Sequence, residues 1–118
     1  MIDAELNKLI AEKVMGWCKI HCLPGGNQLY GAQPDDYDLY PSNPRLSEVP
    51  NYANDIEHAW QVVEKLCERW PDVGVSRTEN GWGCSWGMDG AGWQWIEAET
   101  VTRAICLAAV AAVGVEVD

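Results

Sequence analysis

A chain of 118 residues with 47% apolar content is long enough for one hydrophobic core and too apolar for general disorder. Eighteen acidic residues against eight basic ones leave a formal charge of −10. Such a field repels nucleic-acid backbones and anionic membranes, so neither is an expected partner, and a basic protein surface is the natural one.

In chain order, residues 3–16 predict an amphipathic helix, with Leu6, Leu9, Ile10, Val14 and Met15 at helical spacing, Asp3 as N-cap and Gly16 as the stop. Trp17 is expected to fold back onto the core. Residues 18–53 hold Pro24, Pro34, Pro41, Pro44 and Pro50 and keep neither a helical nor a strand period. They read as one long Pro/Tyr/Asp-rich loop, relieved only by a short edge strand at Gln28–Ala32, and loops of this length are usually functional or mobile. All four tyrosines fall here: Tyr30, Tyr37, Tyr40 and Tyr52.

Residues 54–70 predict the strongest helix, with Asn54 and Glu57 as a capping box, an apolar stripe of Ile56, Ala59, Trp60, Val63, Leu66, Cys67 and Trp70, and Pro71 as terminator. The next stretch, VGVSRTENGWGCSWGMDGAGWQWIE at 73–97, carries four of the seven tryptophans. Asn80-Gly81 and Asp89-Gly90 each suit a two-residue type I′ hairpin turn. Centring both turns there pairs Arg77 with Cys84, Val75 with Trp86, Trp86 with Trp93 and Cys84 with Trp95. One face then collects Val73, Val75, Arg77, Trp82, Cys84, Trp86, Met88, Trp93 and Trp95, and the other is small, mostly polar and glycine-rich. Residues 100–113 predict a last helix capped by Thr100 and wholly apolar from Ala104 to Val113. Its alanines allow a close approach to the glycine- and serine-rich sheet face, and its apolarity calls for burial on several sides or for a homodimer contact.

These elements make a single α/β (α+β) layered domain: a three-stranded antiparallel meander at about 73–97 and three helices at about 3–16, 54–70 and 100–113, with helices on both sides of the sheet. The segments LNKLIAEKVMGW, NYANDIEHAWQVVEKL and AETVTRAICLAAVAAV, in this order, resemble the small phage and prophage proteins of the phage αβα sandwich family. The resemblance implies a layered α/β/α domain encoded by a phage or prophage, and brings no catalytic residues with it.

Chemistry-bearing clusters are sparse. Cys18, His21 and Cys22 form one C-x2-H-C group, but a structural zinc site wants two ligand pairs, so no metal and no cofactor are expected. Cys18 or Cys22 reads instead as a small buried residue at the end of the first helix. No P-loop, G-x-S-x-G or dinucleotide fingerprint is present, and His58 reads as lying on a solvated helix face, so an enzyme is not expected. The odd cysteine count, the lack of a secretory leader and the lack of a run of roughly 20 apolar residues together suggest a reduced setting, the cytoplasm of a bacterial host.

The run DDYDLY makes an acidic patch interleaved with aromatics. Tyr30, Asp35, Asp36, Tyr37, Asp38 and Tyr40 are therefore the candidate partner-binding residues, for a host defence protein with a basic surface. Trp82, at the open end of the meander, and Arg77, a lone cation on its apolar face, are candidates for a nucleotide-type ligand. The leading expectation is an accessory protein that inhibits a host antiphage system stoichiometrically. A sponge for a nucleotide-type defence signal is the alternative, and a structural or regulatory phage protein is the third.

Overall fold

The computed structural model describes residues 2–22, 28–70, 72–87 and 93–114. In chain order it contains α1 (Asp3–Leu9), a π-helical continuation (Ile10–Val14), β1 (Cys18–Cys22), β2 (Leu29–Ala32), α2 (Pro34–Leu39), β3 (Leu46–Glu48), α3 (Ile56–Cys67), β4 (Asp72–Thr78), β5 (Gly81–Gly87), β6 (Trp93–Ala98) and α4 (Val101–Ala112). The strands form two separate antiparallel sheets, ordered β1-β2-β3 and β4-β5-β6.

Helix α4 is the centre of the molecule. Ala104, Ile105, Cys106, Ala108, Ala109 and Val110 have no exposed surface. The helix lies between one face of the β4–β6 sheet and the group formed by α1, its π-helical continuation and α3. Its apolar surface is thus used inside the chain, which accounts for a composition that a surface helix could not carry. Thr100 caps it as expected, its Oγ1 accepting from the Arg103 amide. On α3 the capping residue is Asp55, whose carboxylate accepts from the Glu57 amide, one position later than expected. Asn54 instead donates to Asp3 Oδ2 at 2.8 Å, and Arg103 meets Asp3 Oδ1 at 2.6 Å. Asp3 lies inside the first turn of α1, with Ile2 at the capping position. Its role is to tie α1 to the start of α4 and to the turn before α3. Beneath that surface clasp, the buried Thr102 hydroxyl donates to the Ala53 carbonyl at 2.6 Å.

The β4–β6 meander forms, but with different registers. Thr78 pairs with Gly81, Arg77 with Trp82, Val75 with Cys84 and Val73 with Trp86. The turn is therefore centred on Glu79-Asn80, one residue earlier than the sequence suggested. Asn80 does not have a positive φ, since Lys19 is the only such non-glycine residue described; a type I′ turn is excluded. Gly81 joins the ladder at φ +151, and a Cβ there would run into the Ala98 carbonyl. Partners move by two positions, so Val73, Val75, Arg77, Trp82, Cys84 and Trp86 still share one face.

Strand β6 is displaced by one residue, and that flips it. Cys84 pairs with Ile96, Trp86 with Gln94, Ser85 with Trp95 and Gly87 with Trp93. Ile96 and Ala98 turn toward α4, while Trp93 and Trp95 stand on the opposite face, 61% and 49% exposed. They are not core residues and not neighbours of Trp86 and Cys84. The turn expected at Asp89-Gly90 lies outside the described residues. The physical reason is the closeness of α4, which leaves room for Ile96 and Ala98 but not for two more indoles. The glycine- and serine-rich face thus receives tryptophans in place of the helix expected there.

Residues 18–53, read from the sequence as loop, carry the other sheet. Pairing joins His21 to Tyr30 and Ala32 to Cys18 and Leu46, so β2 is the central strand rather than an edge. Trp17 is buried in the core, as expected. On α3 the buried stripe is Ala59, Val62, Val63 and Leu66, whereas Ile56, Trp60 and Cys67 are exposed. No described helix is long and apolar enough to cross a membrane.

Candidate partner-binding site

The DDYDLY run folds as helix α2, begun by Pro34 at its first position, where the missing amide costs nothing. Asp35 and Asp36 fall in the first turn, where the helix dipole favours carboxylates. No residue of α2 is buried, no basic residue stands in its last turn, and Tyr37, Leu39 and Tyr40 are all exposed. Asp35, Asp36, Tyr37, Asp38 and Tyr40 therefore form one continuous projection of carboxylate and aromatic surface. Tyr30 is not part of it: it sits half-buried at the centre of β2, between His21 and Glu48. Tyr52 is a core residue, 1% exposed, with its hydroxyl pKa pushed up to about 12, first by burial and then by Cys106, against the opposing hydrogen bond with Trp17.

Beside α2 lies a cleft of about 440 Å³ lined in part by Trp17, Asp35, Glu48, Tyr52, His58 and Lys65. Volumes of this order accept a small molecule or a partner's side chain. His58 is half-exposed, with one ring nitrogen turned inward. Its Nδ1 is buried with no hydrogen-bond partner among the described residues, its Nε2 lies 4.0 Å from Asp55 Oδ2, and its ring meets Tyr52 edge-on with centroids 6.2 Å apart. A buried imidazole nitrogen without a partner carries a desolvation cost.

Arg77 and Trp82 are direct cross-strand partners at the open end of the second sheet, with Arg77 exposed and Trp82 half-buried. Trp82 lies between Arg77 and Ala98. A different cationic site was missed. Lys13, Lys65 and Arg69 line a hollow of about 260 Å³ together with Val14, Leu66, Trp70 and one carboxylate, Glu68, which gathers three of the eight basic residues of the chain. The Arg69 guanidinium lies 4.9 Å from the Trp70 ring centroid, and Lys65 Nζ is 3.1 Å from Glu68. The spacing of Lys65 and Arg69, one helical turn apart, is legible in the sequence, but Lys13 joins them only through packing.

Cys18 and Cys22 lie on β1 rather than in the core, Cys18 half-buried and Cys22 exposed. His21 Nδ1 is 3.0 Å from the Lys19 carbonyl. Among the described residues no three His, Cys, Asp or Glu side chains are grouped to hold a metal ion.

A family model, described as the phage ABA sandwich domain, matches residues 8–110. The crystal structure of a phage protein from Bacillus cereus ATCC 14579 superposes with a TM-score of 0.73 at 29% identity, over 100% of this chain and 93% of that one. No curated protein sequence matches the chain. The chain belongs to the phage ABA sandwich domain family.

Proposed function

We propose that this member of the phage ABA sandwich domain family is a phage- or prophage-encoded accessory protein that binds rather than catalyses. In this reading it inhibits a host antiphage defence protein stoichiometrically, in the bacterial cytoplasm, by docking on a basic surface. The observation that carries it is α2, whose residues are all at least partly exposed and alternate carboxylates with aromatic and aliphatic contact area. Tyrosine adds rigid contact surface at low entropic cost, and the charge of −10 speeds encounter with a basic partner. The cleft beside α2, where Asp35 and Glu48 outnumber Lys65, offers a seat for one basic side chain of that partner. Replacing Asp35, Asp36 and Asp38 together by Asn is the test: inhibition of the defence system should disappear while the melting temperature stays within a few degrees. Inhibition that survives the triple replacement would move the contact away from α2.

The sponge reading has its own support in the hollow formed by Lys13, Lys65, Arg69 and Trp70, where local cations oppose the global field and an indole offers a stacking surface. Binding of a nucleotide-type signal there would raise the melting temperature in its presence. A panel of cyclic and ADP-ribose-type nucleotides that produces no shift removes this reading.

A further inference from the structure

The face of the second sheet that points away from α4 plays no part in the reading above. Register sets three rows across it: Asp72, Gly87 and Trp93; Gly74, Ser85 and Trp95; Ser76, Gly83 and Glu97. Strands β4 and β5 contribute small side chains and one carboxylate, whereas β6 raises two indoles and a second carboxylate. No Lys or Arg lies on the described part of this face.

The Trp95 ring is held in place. It lies across Gly83, where a Cβ would overlap the six-membered ring of the indole. Gly83 is buried beneath it, yet about half of Trp95 and more of Trp93 stay open to solvent. Glu97 rises from the same row as Gly83, alongside the seated ring. An indole already fixed against backbone loses little freedom on binding. Trp95, so seated, and Trp93 on the same face together expose apolar area.

The electrostatics select the ligand. An indole face is negative, the charged groups on the described part of this face are carboxylates, and the whole chain carries −10. A guanidinium is planar and weakly hydrated, so it can stack on the ring while its N–H fork reaches a carboxylate. A compact, strongly hydrated ammonium gains less from the same site. We propose that Trp93, Trp95 and Glu97 form a receptor for arginine side chains on a basic partner protein. This rests on the reading that the partner is basic, but not on α2 as its contact.

The test is fluorescence anisotropy of a labelled hexa-arginine peptide titrated with the full chain at physiological salt, with hexa-lysine and a neutral cello-oligosaccharide as comparators. Hexa-arginine should bind about tenfold more tightly than hexa-lysine, and the oligosaccharide should not bind. Trp95→Ala and Trp93→Ala should each weaken arginine binding about tenfold, and Glu97→Gln about threefold. Trp93→Ala does not uncover Gly83, so it stands even if Trp95→Ala unfolds the sheet. Equal affinity for the two peptides, unchanged affinity in Trp93→Ala, or binding of the sugar would each overturn the proposal. The Asp35/Asp36/Asp38→Asn chain should bind hexa-arginine as the wild type does; a loss confined to that chain would also overturn it. Conversely, peptide binding that persists when α2-dependent inhibition is absent would sink only the α2 reading.

Discussion

The two three-stranded sheets differ in how tightly their registers are held. In β4–β6 the strands run seven, seven and six residues, and every position from Asp72 to Thr78 has a partner. In β1–β3 they run five, four and three, the register shifts between Cys18 and His21, and Lys19 at that shift adopts φ +55. The β4–β6 sheet presses one face on α4, where a one-residue slip would exchange buried for exposed side chains throughout a strand. The other buries little beyond Gly31 and Ala32, so a bulge and a left-handed residue cost little there. Burial fixes geometry in one region, and its absence leaves the other able to present α2.

Truncation tests this contrast most strongly. Ile105→Ala, on the helix that packs against the β4–β6 sheet, removes a side chain with no exposed surface and should lower unfolding free energy by about 2–5 kcal/mol in urea. Ile20→Ala, half-buried on β1, should cost under about 1.5 kcal/mol by the same measurement. Equal losses would dissolve the distinction between the sheets.

Alkaline pH probes the same core without mutation. Burial pushes the Cys106 thiol up to about 12, with Arg103 opposing and Asp3 and Cys84 adding to the rise, and burial with Cys67 nearby pushes Cys84 up to about 11. The unfolded chain releases these protons near the ordinary thiol value of 9.0 and the folded chain keeps them. Their stabilisation is therefore complete below pH 9 and is lost as pH rises through 11 and 12. Each thiol contributes a slope of up to about 1.4 kcal/mol per pH unit within that window. Urea midpoints should fall between about pH 8 and pH 10.5; a midpoint that does not move would contradict the burial of both thiols.

The smallest effect belongs to α2. Because no residue of that helix is buried, the triple replacement of Asp35, Asp36 and Asp38 by Asn should change stability by less than about 1 kcal/mol. A larger loss would show that α2 supports the fold rather than simply projecting from it.

Much of this architecture was legible in the residues. The three long helices, the Thr100 cap, the buried Trp17 and the shared face of Val73, Val75, Cys84 and Trp86 all follow from periodicity and turn chemistry. What was not legible depended on alternation that reads equally well both ways. Trp93-Gln94-Trp95-Ile96 alternates whichever set faces inward, and only the approach of α4 decides between Trp95 and Ile96. Likewise Ile56 and Trp60 continue the apolar stripe of α3, but α4 and β4 cover only the part holding Ala59, Val62, Val63 and Leu66. The strands of the first sheet were hidden because strands of three to five residues interrupted by prolines carry too few positions for a period to show. Of the candidate contact residues, the local run at Asp35–Tyr40 stayed together, while Tyr30 was separated from it by a strand pairing that no local pattern announces.

The clasp at Asp3 has a kinetic side. Its contact with Arg103 spans 100 residues, so the ring it closes includes almost the whole chain. Contacts of such separation close only after the intervening elements have collapsed, because their loop entropy must be overcome first. The Asp3 clasp thus locks α1 onto α4 late in folding and releases it before α4 itself opens. Asp3→Asn should leave the refolding rate nearly unchanged and accelerate unfolding, with hydrogen exchange opening α1 ahead of α4.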